Sequence, residues 1–236
     1  MPGLLPIDRV DLWTVSLPVS AEHYERLSRS LSGDEMARAD RFKFERDRRR
    51  FVVGRGALRS ILGSYLGRDP DAIRFAYGSH GKPTLADVSA AGGVEFNASG
   101  SDELAVCAVT VGTRLGVDIE LCRPIAEEDF PDQCLTAAER NALRALEPAD
   151  RPAAFYRLWT LKEAFLKATG EGLSRPMSSV EFDLSPGRAV RLIGGEQNLP
   201  DWEGCTILEF VPGPQHVGAL VLAGKGRTVT HRNWSP

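Results

Sequence analysis

The chain has 236 residues, more than one small hydrophobic core needs. It contains 29 Lys and Arg and 32 Asp and Glu, and this near-neutral charge does not favour a polyanionic partner. No apolar run approaches the length that crosses a bilayer, and the N-terminus lacks the basic and apolar segments of a secretory signal. The four cysteines form no C-x-x-C pair and suit free thiols in a reducing compartment, so we expect a cytoplasmic protein.

The N-terminal half of the chain predicts one strand, three helices and several shorter strands. Alternating apolar residues indicate the strands, and apolar residues at i, i+3 and i+4 spacing indicate the helices. Ser20 is a suitable N-cap for the first helix, and Gly67 ends the third. In chain order we predict strand 10–17, helices 20–31, 34–44 and 52–66, and strands 72–76, 94–98 and 105–111.

The densest basic run of the chain extends from Arg38 to Arg50. Acidic residues interrupt it, and neither a zinc spacing nor an RNA-binding aromatic motif accompanies it. A compact phosphate ligand therefore fits this run better than a nucleic acid. For some of its members an ordinary solvated surface is the alternative interpretation: Lys43, Arg46 and Arg48.

The C-terminal half repeats this plan loosely, with a long helix followed by strands and a closing strand rich in small apolar residues. We predict strand 115–121, helices 137–146 and 155–173, strands 179–184, 189–192, 206–211 and 216–222, and a loose tail from Gly226. The boundary between the two halves is predicted near residues 111–115. The sequence thus predicts an α+β fold with two domains, 1–112 and 113–236, each a long helix packed on a small, mainly antiparallel sheet.

The strand at 115–121 carries two acidic residues on one face. Val117 and Ile119 alternate with Asp118 and Glu120, so the apolar pair anchors in a core while the two carboxylates lie side by side. Paired like charges repel unless something compensates them, and a hard divalent cation is the usual compensation. The alternative is a strand whose outer face is merely acidic.

The helix at 155–173 directs charged residues toward its packed side. Lys162 falls in the middle of the apolar stripe and Glu163 lies beside it, so these charges are expected to meet a partner or a ligand. Lys167 follows Glu163 by one turn, and an i,i+4 salt bridge on a solvated edge is an equally good interpretation of that pair.

Taken together, the two stretches resemble the 4′-phosphopantetheinyl transferase superfamily, and in particular its long single-chain type, which acts on carrier domains of nonribosomal peptide and polyketide synthases. The resemblance is carried by Gly116-Val117-Asp118-Ile119-Glu120 and by Trp159, Lys162, Glu163, Ala164 and Lys167. Further matching positions are Arg41-Phe42, Arg50, Gly81-Lys82-Pro83, Phe96-Asn97-Ala98-Ser99, and Thr136 with Glu139. The likeness extends from Trp13 to Leu222.

This resemblance implies transfer of the phosphopantetheine arm of coenzyme A to a serine of an acyl or peptidyl carrier protein, with release of adenosine 3′,5′-bisphosphate. It implies Mg²⁺ held by Asp118, Glu120 and Glu163. Glu163, or a metal-bound water that it orients, is the expected proton acceptor, and Lys167 is expected to assist the reaction. It also implies two pseudo-symmetric halves with the active site between them and a monomeric protein, without a membrane or nucleic-acid partner.

The same resemblance assigns the coenzyme to residues in both halves. The N-terminal arginines are expected at the 3′-phosphate, with Lys82 nearby, and the helix lysines at the pyrophosphate. The full set of expected coenzyme contacts is Arg38, Arg41, Arg50, His80, Lys82, Pro83, Asn97, Ser99, Lys162 and Lys167.

Two positions depart from the family pattern. Gly100 stands where many relatives have a histidine that touches a coenzyme phosphate, and Glu35 stands where a basic residue is found. Together these departures predict weaker coenzyme binding or an altered substrate. Two other functions remain open alternatives, a Mg²⁺-dependent phosphohydrolase acting on coenzyme A or nucleotides, and a non-catalytic module that binds a carrier or the coenzyme.

Overall fold

The structure is a computed structural model that describes residues 5–78, 81–87, 92–125, 130, 132–170, 175–184, 189–195, 202 and 204–236. Within these residues the fold is α+β, as predicted. The helices are α1 Ala21–Arg29, α2 Gly33–Ala39, α3 Glu45–Leu66, α4 Ala137–Arg144 and α5 Arg151–Thr169. The strands are β1 Arg9–Ser16, β2 Phe75–Tyr77, β3 Pro83–Leu85, β4 Val94–Ser101, β5 Leu104–Val111, β6 Leu115–Leu121, β7 Val180–Asp183, β8 Arg191–Gly195, β9 Thr206–Phe210, β10 His216–Leu222 and β11 Thr228–Trp234.

The chain divides into two compact units. Unit 1 comprises Met1–Gly78, Pro83–Gly112 and Thr228–Pro236, and unit 2 comprises Ser79–Lys82 and Thr113–Arg227. The predicted division at 112/113 coincides with one of these boundaries. However, the end of the chain belongs to unit 1, whereas the sequence assigned all of 113–236 to the C-terminal half.

Unit 1 packs the long helix α3 against a four-stranded sheet. The strand order is β11-β1-β5-β4, in which β1 pairs in parallel with β11 and antiparallel with β5. Gly67 ends α3 in a left-handed conformation, as its position predicts. Apolar residues from the helix and the sheet share one core, with Val53, Ile61 and Leu62 from α3 and Phe96 and Val109 from β4 and β5.

The expectation of a loose C-terminal tail is wrong, because Thr228–Trp234 forms β11 at the edge of this sheet. A fully buried carboxylate explains part of this order. Asp11 on β1 accepts a hydrogen bond from Tyr65 Oη at 2.5 Å, and Arg232 Nε of β11 lies 2.9 Å from the same oxygen. Burying a charge without partners is costly, so Asp11 favours the arrangement that brings Arg232 beside it.

Unit 2 packs α5 against the antiparallel sheet β6-β10-β9, with the β7-β8 pair forming a separate two-stranded sheet. Helix α5 spans Arg151–Thr169 rather than the predicted 155–173, since Pro152 lies in its first turn and Gly170 ends it in a left-handed conformation. Leu158, Leu161 and Phe165 of α5 share a core with Ala219 and Val221 of β10. All four cysteines are free thiols, and no helix among the described residues is long and apolar enough to cross a membrane.

The backbone of α5 approaches β6 so closely that only glycine fits at position 116. A Cβ atom on Gly116 would overlap the carbonyl oxygen of Ala164 and the amide nitrogen of Ala168. Both obstacles are helix backbone, so a side-chain rotation cannot relieve the overlap. The face of β6 that carries Gly116 therefore packs directly on α5.

This packing predicts the effect of Gly116→Ala. The substitution should lower the free energy of unfolding by about 3 kcal/mol, because strand and helix must separate to admit the methyl group. Urea unfolding followed by circular dichroism measures this loss.

A matched control is Gly54→Ala in the interior of α3. There the added Cβ would meet only Leu17 Cδ2, at an ordinary 3.6 Å. Alanine favours the helix by about 0.5–1 kcal/mol relative to glycine, so this variant should be as stable as the parent or more so. Equal losses in the two variants would contradict the account of close packing at Gly116.

Candidate active site

The acidic residues of β6 face helix α5. Side chains two residues apart in a strand point to the same side, so Asp118 and Glu120 share the face on which Gly116 meets α5. Asp118 is 3% exposed and Glu120 is partly exposed. The sequence predicted the alternation of this strand correctly. The alternation alone did not indicate that a helix covers the acidic face, although the family resemblance took the metal ligands from this strand and from the helix at 155–173.

Glu163 of α5 lies within electrostatic range of both carboxylates. Partial burial raises the pKa of Glu163, and the negative charges of Asp118 and Glu120 raise it further, while Lys167 opposes the shift. Burial is the largest cause of this shift, and the positive charge of Lys167 does not cancel it.

Lys167 reaches from α5 to β6. Its Nζ atom lies 2.6 Å from Asp118 Oδ1 and also donates to the carbonyl oxygen of Val117 at 3.4 Å. The side chain is 27% exposed, so the ammonium retains access to solvent. Lys167 therefore joins Asp118, Glu120 and Glu163 in one cluster, which we call the acidic cluster with its lysine.

Lys162 does not belong to this cluster, although the sequence assigned it to the coenzyme pyrophosphate. Its side chain is completely buried, and its Nζ lies 2.6 Å from Glu139 Oε2. It also donates to the carbonyl oxygens of Val180 and Met177, at 2.6 and 3.0 Å. An ammonium has three donors, and three protein acceptors surround this one, so the predicted phosphate contact is wrong in this structure.

Glu139 likewise has a structural role. It receives the backbone N–H of Thr136 in a capping box at the start of α4 and the backbone N–H of Phe182 at 3.1 Å. Burial lowers the pKa of Lys162, and the carboxylate of Glu139 opposes that shift. The buried pair thus ties α5 to α4 and to the start of β7. The sequence position of Lys162 correctly indicated that it meets a partner, but not which one.

Lys82, which also lies in unit 2, binds the end of α5. Its Nζ donates to the carbonyl oxygen of Lys167 at 2.6 Å and to that of Leu115 at 3.3 Å. The last carbonyls of a helix lack helical partners, so a cation there is favourable. The coenzyme contact assigned to Lys82 stays a prediction.

Unit 1 carries the remaining predicted coenzyme residues. Arg38 and Arg41 are exposed, and the Arg38 guanidinium lies 5.3 Å from the ring centre of Phe51. Arg50 is instead bound to the turn between β4 and β5, with Nη2 at 2.8 Å from Asp102 Oδ1. Asp102 has a positive φ of 55°, so this contact fixes an unfavourable turn conformation.

The structure does not test the other predicted coenzyme contacts. Asn97 is buried and Ser99 is partly exposed, both on β4, and Pro83 is the first residue of β3. Their assignments, like that of Gly100 as a missing donor, stay predictions. His80 lies outside the described residues.

Glu35 has internal partners, and its effect on coenzyme binding stays a prediction. This residue is 2% exposed, and its Oε2 atom accepts the backbone N–H of Ser32 and the Nε–H of Arg59, at 2.9 and 2.8 Å. It begins α2 with a capping box and fixes α2 to α3. Glu35 is therefore an internal partner for Arg59.

The acidic cluster with its lysine suits a divalent metal ion by its chemistry. Carboxylate oxygens are the ligands that Mg²⁺ prefers, and they come here from a strand and the helix packed on it. Within the described part of the chain, no three acidic, histidine or cysteine side chains already stand at metal-binding distances. Lys167 lies against Asp118 instead, and one lysine beside three carboxylates leaves a net negative charge that a cation would offset.

Comparison with known proteins identifies the family of this chain. Residues 114–221 match the model described as the 4′-phosphopantetheinyl transferase superfamily, and residues 16–112 match that of the 4′-phosphopantetheinyl transferase N-terminal region. The 4′-phosphopantetheinyl transferase HetI of Nostoc sp. is 41% identical over 93% of this chain and 90% of its own length. The 4′-phosphopantetheinyl transferase Sfp of Bacillus subtilis is 32% identical over 87% of this chain and 88% of its own.

One solved structure, the holo-[acyl-carrier-protein] synthase of Thermotoga maritima, aligns with 48% of this chain and 64% of its own, at 23% identity and a TM-score of 0.41. This overlap is too small to support a conclusion. The two matched regions and the relatives, which are similar over nearly their whole length, define the class of protein as a single-chain phosphopantetheinyl transferase. The chain belongs to the 4′-phosphopantetheinyl transferase superfamily and is an enzyme of that kind.

The contacts of the two α5 lysines predict opposite consequences of their removal. Lys162→Met should lower the free energy of unfolding by about 3–5 kcal/mol, because it leaves the Glu139 carboxylate buried without its cation. Lys167→Met should cost much less stability, since its ammonium is partly solvated, but it should abolish phosphopantetheine transfer.

Chemical denaturation and a transfer assay on both variants check this contrast. As a control, the double variant Lys162→Met/Glu139→Gln should recover part of the lost stability, because glutamine keeps an acceptor for the cap and removes the unpaired charge. A Lys162→Met protein as stable as the parent but without activity would instead return Lys162 to the coenzyme site.

Proposed function

We propose that this enzyme transfers the phosphopantetheine arm of coenzyme A to a serine hydroxyl of an acyl or peptidyl carrier protein, with Mg²⁺ as cofactor. The serine oxygen forms a new P–O bond to the phosphorus that carries the pantetheine arm. The bond from that phosphorus to the bridging pyrophosphate oxygen breaks, and adenosine 3′,5′-bisphosphate leaves. The observation that carries this proposal is the proximity of Asp118, Glu120 and Glu163 to Lys167 on one strand and one helix.

Charge is the main demand of this reaction, because the pyrophosphate is anionic and the leaving group gains more charge. A bound Mg²⁺ would neutralise pyrophosphate oxygens and stabilise the leaving phosphate. Asp118, Glu120 and Glu163 would hold it. The Lys167 ammonium, which lies 2.6 Å from Asp118 Oδ1, would neutralise a phosphate oxygen beside this site.

The serine must also lose its proton. Glu163 is the candidate acceptor among the described residues of the cluster, because its carboxylate lies near Asp118 and Glu120 on the same side of α5 as Lys167. Partial burial raises the pKa of this carboxyl group, and Lys167 opposes that shift. Its position on α5, one turn before Lys167, keeps the acceptor close to the cation that would bind the phosphate.

The 3′-phosphate of the coenzyme is assigned to cations of unit 1. Arg38 and Arg41 are exposed on the segment that begins the basic run, so they are available to a ligand from solvent. Arg50 is the weaker member of the predicted group, because Asp102 already binds its guanidinium. We also expect a monomer, because the two regions that match family models follow one another in a single chain.

The decisive test is the mass of a carrier domain incubated with enzyme, coenzyme A and Mg²⁺. We expect the carrier to gain the mass of one phosphopantetheine, and to stay unmodified when EDTA removes the metal. Free phosphopantetheine with an unchanged carrier would instead show a phosphohydrolase, and binding without any covalent change would show a non-catalytic module. Either outcome would overturn the proposal.

In the same assay, Asp118→Asn and Glu163→Gln should each lower the transfer rate by about 10²–10⁴-fold, because each removes a metal ligand and the second also removes the proton acceptor. Glu163→Gln should melt no lower than the parent without divalent ions, because it reduces repulsion within the cluster. Asp118→Asn also loses the ion pair between Asp118 and Lys167, so it should melt slightly lower. Glu209→Gln is the matched control, because that glutamate pairs with Arg157 on the β9 side of the unit and should leave the rate unchanged. An active Asp118→Asn enzyme would contradict the ligand assignment.

A further inference from the structure

The ammonium group of Lys82 joins helix α5 to strand β6. Its Nζ atom donates to the carbonyl oxygen of Lys167 at 2.6 Å and to that of Leu115 at 3.3 Å. Lys167 lies in the last turn of α5, and Leu115 is the first residue of β6. Leu115 directly precedes Gly116, where the backbone of the helix lies against the strand. One cation therefore bridges the two elements beside the place where their backbones meet.

Lys82 and Lys167 bind the same edge of β6. This strand lies at one edge of the sheet β6-β10-β9, and the carbonyl oxygen of Arg114 points toward the β10 side, where it accepts a backbone N–H. Successive carbonyls of a strand point to opposite edges, so those of Leu115 and Val117 point away from β10. Lys82 binds the first of them and Lys167 binds the second, at 3.4 Å. The two ammonium groups thus follow one another along the outer edge of the strand.

The backbone on both sides of Lys82 is restricted. Gly81 has a φ of 74°, a left-handed conformation that residues with a side chain adopt only at a cost. Pro83 fixes its own φ and disfavours the helical region for the residue before it. The side chain of Lys82 is partly buried. The Gly-Lys-Pro segment is therefore suited to hold this ammonium at one place.

The contact with Lys167 fixes the backbone of a residue whose side chain belongs to the acidic cluster with its lysine. The last carbonyls of a helix lack helical partners and carry partial negative charge, and Lys82 supplies both a donor and a positive charge to one of them. From the same residue, the Lys167 ammonium extends to Asp118 Oδ1 at 2.6 Å. A shift of the last turn of α5 would therefore move this ammonium relative to the carboxylates of β6.

We propose that Lys82 is a positioning residue for the transfer reaction. It holds the last turn of α5 at the place on β6 from which Lys167 reaches both Asp118 and a pyrophosphate oxygen. This inference rests on the proposed function, in which Lys167 neutralises a phosphate oxygen. Lys82 acts through Lys167, and so its role differs from the coenzyme contact that the family resemblance implies. A displacement of about 1 Å in a group that stabilises the transition state can lower a rate by about 100-fold.

Transfer kinetics at saturating carrier and Mg²⁺ distinguish positioning from coenzyme binding. Lys82→Met should lower kcat about 10–100-fold and change the KM for coenzyme A less than about two-fold, because Lys167 is misplaced while the ground-state contacts of the coenzyme remain. Lys82→Arg should recover part of the lost kcat, since a cation with several donors returns to the bridge. Lys225→Met is the matched control, because this exposed lysine of unit 2 should leave both parameters unchanged.

Amide hydrogen exchange tests the bridge independently of activity. The N–H of Gly170 bonds to the carbonyl oxygen of Leu166 at the end of α5, and in Lys82→Met it should exchange about ten-fold faster than in the parent. Amides of α3 should keep their parent rates. Lys167→Met is the contrasting variant. It keeps the carbonyl oxygen that Lys82 binds, so the exchange of Gly170 should stay at the parent rate.

A second variant applies if Lys82→Met does not fold. Gly81→Ala keeps the ammonium but strains the segment that presents it, and no atom lies within 4 Å of the added Cβ. It should lower kcat and leave the KM for coenzyme A unchanged, as Lys82→Met does, to a smaller extent.

Three results would overturn the inference. The first is a raised KM for coenzyme A with an unchanged kcat, which would make Lys82 a coenzyme contact. The second is faster exchange at Gly170 with an unchanged kcat, which would make the bridge purely structural. The third is a lower kcat with unchanged exchange. In an enzyme that transfers the arm, each refutes only the role of Lys82, whereas a parent protein that transfers nothing refutes the proposed function.

Discussion

The contact between the backbone of α5 and Gly116 determines the geometry of unit 2. Because position 116 has no side chain, the helix lies directly on β6, and the residues that follow on the same strand face are brought to the helix. This places Lys167 at 2.6 Å from Asp118 and brings Glu163 under the influence of both strand carboxylates. A cluster of like charges at the edge of a core is unfavourable by itself. Its presence in a well-packed unit is best explained by a ligand that supplies positive charge.

The two lysines of α5 show how one helix serves both stability and function. Lys162 points into the protein, where Glu139 and two carbonyl oxygens occupy all its donors, and so joins α5 to α4 and β7. Lys167 points to β6 and keeps contact with solvent. Because every donor of Lys162 has an acceptor, this lysine holds α5 firmly in place. Glu163 and Lys167 project from the helix that it holds. In unit 1, Arg59 donates to Glu35 and to two carbonyl oxygens, whereas the buried Nη1 atom of Arg55 has no hydrogen-bond partner among the described residues.

The sequence predicted the helices and strands in which buried apolar residues recur at regular spacing. It did not predict features that depend on contacts with residues distant in sequence. The alternation of β6 and the apolar stripe of α5 were sufficient to predict those elements, whereas the family resemblance implied that their acidic residues form one cluster. Strand β11 was missed because its residues are mostly polar, and its order depends on pairing with β1 and on Asp11 beside Arg232. The partners of Lys162 and the burial of Arg55 could not be predicted, since Glu139, Glu35 and the ring of Phe75 lie far from them in sequence.

The central claim is that Asp118, Glu120 and Glu163 hold a divalent cation beside Lys167. The most direct measurement is anomalous diffraction from a crystal grown with coenzyme A and Mn²⁺, an oxygen-binding ion with a strong anomalous signal. The account predicts one peak within bonding distance of Asp118 and Glu163, with the Lys167 ammonium moved from Asp118 toward a pyrophosphate oxygen. A peak at other residues, or a coenzyme bound with Lys167 still paired to Asp118 and no metal at the carboxylates, would contradict it.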